Sequence, residues 1–212
     1  MPSFIRGMRT TQSSYIKIHC AFIPLFDAFA PWISNPALVN LYHKLSIMET
    51  NTSSSRMFSL VVLFDMHTKY FHNVLDGISD NDAHNRLQTK ANHIAWLTGS
   101  LVQQRFEMAN LLGIDQKQEA HGLFDNNQGI KDNIVYPALD QFKKDWDRIT
   151  PELRNAFMHV TDQKLDSEFD MMPEMKMKIY DLVTFITYRE ANCIGQIALW
   201  RRLLGYDPMK YM

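Results

Sequence analysis

The chain holds only two cysteines in 212 residues, Cys20 and Cys193. One possible pair makes no disulfide framework, so a reducing, cytoplasmic setting is expected. Glycine and proline are sparse at 8 each, and apolar/polar alternation is rare, which favours helices over strands. No apolar run reaches the roughly 18 to 20 residues of a membrane span, so no membrane partner is expected. An excess of one charge is missing too. A net charge of −1 offers no basic field for nucleic acid.

What the chain does have is 46% hydrophobic residues, with 13 Met and 13 Phe. That composition predicts a soft, aromatic-rich core rather than a Met-lined groove. The isolated basic pairs Lys143-Lys144 and Arg201-Arg202 read as solvated helix faces. Residues 1–47 differ from the rest: Arg6, Arg9, Lys17 and Lys44 stand against one acid, Asp27. Pro24, Asp27 and Pro31 interrupt the apolar stretch that a secretory signal would need. This segment is expected to be an N-terminal extension, either preceding a natural start at Met48 or packing as a short appendage.

Four helices are expected from residue 48 onward. The first runs from Ser55 to Leu75, with Phe58, Val61, Leu63/Phe64, Tyr70/Phe71 and Val74/Leu75 as its inward stripe. Asp76-Gly77 stops it. The second runs from Asp82 to Leu112, with Leu87, Ala91, Ile94, Leu97, Leu101 and Met108 on one face and Gly113 as its cap. A long polar connection follows, in which Asp125, Asn127 and Gly129 read as a turn and not a calcium loop. The third follows Tyr136-Pro137 and carries Leu139, Phe142, Trp146, Ile149, Leu153 and Phe157; Thr150-Pro151 is expected to kink or divide it. The fourth runs from near Pro173 to Leu204, with Gly205 as its cap. The fold class is therefore all-α, an antiparallel four-helix bundle spanning 48–212.

Three segments carry a resemblance. They are Asn92-His93-Ile94-Ala95-Trp96-Leu97-Thr98-Gly99-Ser100-Leu101, then Gly129-Ile130-Lys131-Asp132 with Tyr136-Pro137, then Glu190-Ala191-Asn192-Cys193-Ile194-Gly195-Gln196 with Leu199 to Gly205. In this order and spacing the chain resembles the bacterial DinB-like family over roughly residues 55–205. The resemblance implies crossover topology, a homodimer and often a divalent metal held by one His on the second helix and a His-x-x-x-His pair on the fourth. Some members transfer thiol cofactors.

Carried over residue by residue, those ligand positions fall on Ser100, Arg189 and Cys193. Ser is a weak ligand, Arg repels a cation, and one thiolate is insufficient, so neither zinc nor nickel is expected as a cofactor. His93 becomes a ligand only in another register; its expected role is structural, a hydrogen bond to a neighbouring helix or loop. A buried Arg189 needs acceptors. Glu107 or Asp65 would make it an interhelical ion pair, the preferred reading. Alternatively Arg189, Ser100 and Gln104 would grip a small anion such as a carboxylate or phosphate. Arg189 would also lower the Cys193 pKa, which makes Cys193 a candidate nucleophile for a thiol-dependent S-transferase. A non-catalytic or anion-binding bundle is the preferred function.

Overall fold

The computed structural model describes residues 52–172 and 174–211. The expectations for residues 1–47 and for a start at Met48 lie outside the described residues. The described part is mostly helical. α1 (Phe58–Leu75) follows a 3-10 turn whose Arg56 N–H is capped by the Ser54 hydroxyl. One-turn α2 (Asp80–Ala83) precedes α3 (Ile94–Leu111). α4 (Leu139–His159) leads through one-turn α5 (Asp162–Leu165) to an antiparallel hairpin, β1 (Glu168–Met172) and β2 (Met175–Lys178). α6 (Ile179–Leu203) closes the chain. Among the described residues no helix is long and apolar enough to cross a membrane.

The apolar stripes explain how the long helices meet. α4 buries every residue of its expected stripe, from Leu139 to Phe157. α3 buries Ile94, Leu97, Leu101 and Met108, and α1 buries Val61, Phe64, Phe71, Val74 and Leu75. Phe58 and Leu63 of the α1 reading face outward instead. α1 packs on α4 and α6, and α3 packs on the same two helices.

Directions follow from the contacts. α1 and α4 run antiparallel, since Phe64 meets Phe157 and Phe71 stacks on Trp146. α3 and α6 do too, with Asn92 against Trp200 and Arg105 against Glu190. The other neighbours are parallel. Arg56 lies over Tyr180 and Arg201 reaches Val74, which aligns α1 with α6. Gly99 faces Phe142 and Arg105 reaches Thr150, which aligns α3 with α4. Parallel neighbours need a connection that returns along their length, and this accounts for the long stretch between Leu112 and Ala138.

Several boundaries differ from the sequence reading. The second helix begins at Ile94, not Asp82; Leu87 and Gln88 have φ of 45° and 60°, and Leu87 is exposed. Left-handed backbone at two consecutive residues cannot continue an α-helix. The last helix begins at Ile179, because Met175-Lys176-Met177-Lys178 alternates with period two and pairs as a strand. α4 runs through Pro151 undivided. There the Thr150 hydroxyl donates to the Trp146 carbonyl at 2.6 Å, and the apolar stripe continues on both sides of the proline. Arg201 is buried, not solvated: it donates to the Val74 and Asp76 carbonyls at the C-terminus of α1, where a cation is favoured. Gly113 and Gly205, with φ of 94° and 87°, close α3 and α6 as read.

Candidate functional site

Ser100 and Gln104 lie one turn apart on α3, and Arg189 and Cys193 one turn apart on the antiparallel α6. The half-buried Arg189 joins the two helices. Its Nη2 donates to Ser100 Oγ at 2.6 Å and its Nη1 donates to Gln104 Oε1. Gln104 Nε2 is buried without a hydrogen-bond partner among the described residues.

Neither expected acid pairs with Arg189. Asp65 accepts two bonds from Arg154, at 2.7 and 2.9 Å. Glu107 accepts from Gln103 Nε2 at 2.9 Å. Among the described residues Arg189 therefore keeps its charge uncompensated by a carboxylate. The ion-pair reading of this residue is replaced by a guanidinium held on two neutral oxygens.

Cys193 is buried, and burial pushes its thiol up; the nearby Arg189 offsets this only in part. The expected lowering of its pKa is reversed, because removal from water outweighs one half-exposed cation. The residues at the implied metal positions do not fit a divalent ion. A guanidinium occupies the space between the hydroxyl and the helix bearing the thiol, and it presents donors where a metal needs lone pairs.

One residue further along each helix, at the buried Arg105 and Glu190, lies a cluster that the sequence reading did not name. Arg105 of α3 is fully buried, with its guanidinium between the Trp146 ring at 3.3 Å and the Phe64 ring at 3.9 Å. Its Nε and Nη2 donate to the two Glu190 oxygens at 2.6 and 3.0 Å. Its Nη1 donates to Thr68 at 3.0 Å and Thr150 at 2.7 Å. Four of its five N–H donors are thus used, on residues from α1, α4 and α6. His67 Nδ1 sits 3.3 Å from Glu190 without hydrogen-bond alignment. Burial alone would push the Glu190 carboxyl up, but Arg105 and then His67 outweigh it, so it lies below its ordinary value. The interhelical staple expected at Arg189 is formed here by its sequence neighbour.

A third group surrounds the N-terminus of α3. His93 Nδ1 accepts the Trp96 N–H at 3.0 Å, so His93 caps its own helix. The hydrogen bond expected to a neighbouring helix or loop is made instead within its own helix. Its ring lies 5.3 Å from His84 and 5.2 Å from Tyr136. Burial, then the neighbouring His84 and Arg86, lower its pKa from 6.5 to about 4.

The sign of the resulting pH effect is fixed. Between pH 6.5 and about 4 the unfolded His93 binds a proton that the folded one refuses. Stability contributed by neutral His93 is complete above pH 6.5 and falls as the pH drops towards 4. After allowance for solvent screening the loss is about 1 to 2 kcal/mol. His93→Asn keeps a capping oxygen and removes the titration. Urea unfolding at pH 7.5 and 4.5 should show the wild type losing more stability than His93→Asn; equal losses would refute this assignment.

No known family model and no curated protein sequence matches this chain. Among the described residues, no three His, Cys, Asp or Glu side chains converge as metal ligands would.

Proposed function

We propose that the chain is a DinB-like four-helix bundle whose metal position has become a small-anion site. One observation carries this reading: Arg189 is held on Ser100 and Gln104 with no carboxylate partner among the described residues. A half-buried guanidinium gains from a counter-anion, and a planar fork suits carboxylate or phosphate. The four stacked long helices and the parallel α3–α4 crossover support the bundle. The burial of Cys193 speaks against a thiol-transferase and for a non-catalytic domain. Its setting would be the cytoplasm. Exposed apolar side chains on the adjacent α1 and α6, Phe58, Val62, Met66, Phe185 and Tyr188 among them, support a homodimer.

The test is thermal unfolding with acetate and with inorganic phosphate, on wild type and Arg189→Met. At roughly ten times its Kd, a bound anion should raise the wild-type Tm by about 3 to 5 °C. Arg189→Met should show no shift. Absence of any shift in the wild type, or an equal shift in the variant, would refute the anion site. Stoichiometric zinc or nickel in the purified protein would also overturn it. Sedimentation of the same samples tests the dimer, and a monomer at every concentration would exclude it.

A further inference from the structure

A cleft of about 480 Å³ lies on a different part of the molecule, where α2, the segment after it, the start of α3 and residues 130–135 meet. Its size suits a small molecule. Its lining includes His84, Arg86, His93, Ile130, Ile134 and Val135. His93 is only 6% exposed. Because its Nδ1 accepts from Trp96, the ring proton sits on Nε2, and Nε2 has no hydrogen-bond partner among the described residues. This is a donor on a nearly buried ring, fixed in orientation, on the wall of a cleft.

Arg86 lies on the same wall. Its Nε donates to the Ala91 carbonyl at 2.8 Å and its Nη1 to Asp132. Its Nη2 has no partner among the described residues. The two acids of the lining are already engaged: Asp80 Oδ1 accepts the Leu139 N–H at 2.8 Å at the start of α4, and Asp132 holds Arg86. On side chains that are not exposed, the lining thus offers two unused donors, one of them cationic. Arg86 and Lys131 balance Asp80 and Asp132, which suits a monoanion better than a dianion. Ile130, Ile134 and Val135 supply the apolar remainder, and Val135 is 88% exposed at the lip.

We propose that this cleft binds a small aliphatic monocarboxylate, with its head group on His93 Nε2–H and Arg86 Nη2 and its chain against Ile130, Ile134 and Val135. The proposal does not depend on the Arg189 site. Neutral His93 matches the role, since it donates without bringing a second buried charge.

Hexanoate titrated into the full chain by calorimetry tests it. Binding is expected, weakened at least about tenfold by Arg86→Met and by His93→Ser, because each removes one charge-assisted hydrogen bond. Ser at position 93 can still cap the helix. Val135→Asp, at an exposed position with little folding cost, should weaken it as much by repulsion. Hexanamide should bind at least about tenfold more weakly than hexanoate. Arg189→Met should lose at most the response at its own site and keep the binding that depends on Arg86 and His93. No heat with hexanoate, equal affinity for hexanamide, or binding untouched by Val135→Asp would overturn the proposal. Binding lost in Arg189→Met alone would overturn it too, by placing the carboxylate at the other site.

Discussion

Glu190→Gln is expected to destabilise the protein by about 3 to 5 kcal/mol, among the largest effects of any single conservative change in this chain. The exchange keeps size and shape and removes only the charge. Arg105 would then hold a buried cation with no counterion, and its aromatic neighbours Phe64 and Trp146 cannot replace a carboxylate. Arg105→Met should cost less than Glu190→Gln. The carboxylate it leaves behind still has His67 at 3.3 Å and can take up a proton. The double variant Arg105→Met/Glu190→Leu should recover most of the loss, because an apolar pair of similar volume avoids both desolvation penalties. Urea unfolding of the four proteins gives the coupling directly. Additive single-variant costs would show that the pair is not a unit. The pair should also weaken in acid. The carboxyl lies below its ordinary value, so its contribution is complete above about pH 4.3 and lost as the pH falls through the folded pKa.

That cluster also marks how far the sequence could be read. Arg105 falls four residues after Leu101 and three before Met108, inside the apolar stripe of α3. Glu190 falls four after Ile186 and four before Ile194, inside the stripe of α6. Opposite charges set within two stripes were a signal for a buried pair, visible in the periodicity alone. Arg189 lies one residue from Glu190, which is about 100° of helix, and so points to a different face. Placing Ser100, Gln104 and Arg189 together needed only the antiparallel pairing of the two helices and their spacing. The acid facing Arg189 was not legible. Asp65 and Glu107 lie on suitable helices, but Arg154 and Gln103 hold them, and those contacts depend on rotation about each axis.

The helix interiors were legible and their starts were not, for separate reasons. α4 has one strong stripe and reads correctly from Leu139 to Phe157. At 84–93, Leu87 and Ala91, four residues apart and in step with Ile94, gave a helical pattern that two left-handed residues break. The cleft was hidden for the same reason. Its walls come from that irregular segment and from the connection, neither of which has a period to read.

Gly99→Ala should be the second large effect, and its sign is opposite to what helix propensity predicts. In an exposed helix this exchange stabilises by about 1 kcal/mol. Here a Cβ at position 99 would lie 2.2 Å from Phe124 Cζ and 2.7 Å from Phe142 Cε1. Both rings are buried, and Phe124 is further hemmed in by Tyr136 at 5.7 Å and Trp96 at 6.4 Å between ring centroids. Overpacking of this kind costs roughly 1 to 3 kcal/mol or somewhat more, so a net loss of about 2 kcal/mol is expected. The strain should fall first on the connection, because Phe124 anchors it to α3, and Gln118 ties it there through the Gly99 carbonyl at 3.2 Å. Limited proteolysis should therefore cut Gly99→Ala between residues 114 and 135 before the wild type is cut. Phe124→Leu, which frees the space, should restore part of the stability in the Gly99→Ala background although it destabilises the parent. A Gly99→Ala protein as stable as the wild type would mean that the rings move aside freely and that the close approach of α3 to Phe124 does not hold the connection in place.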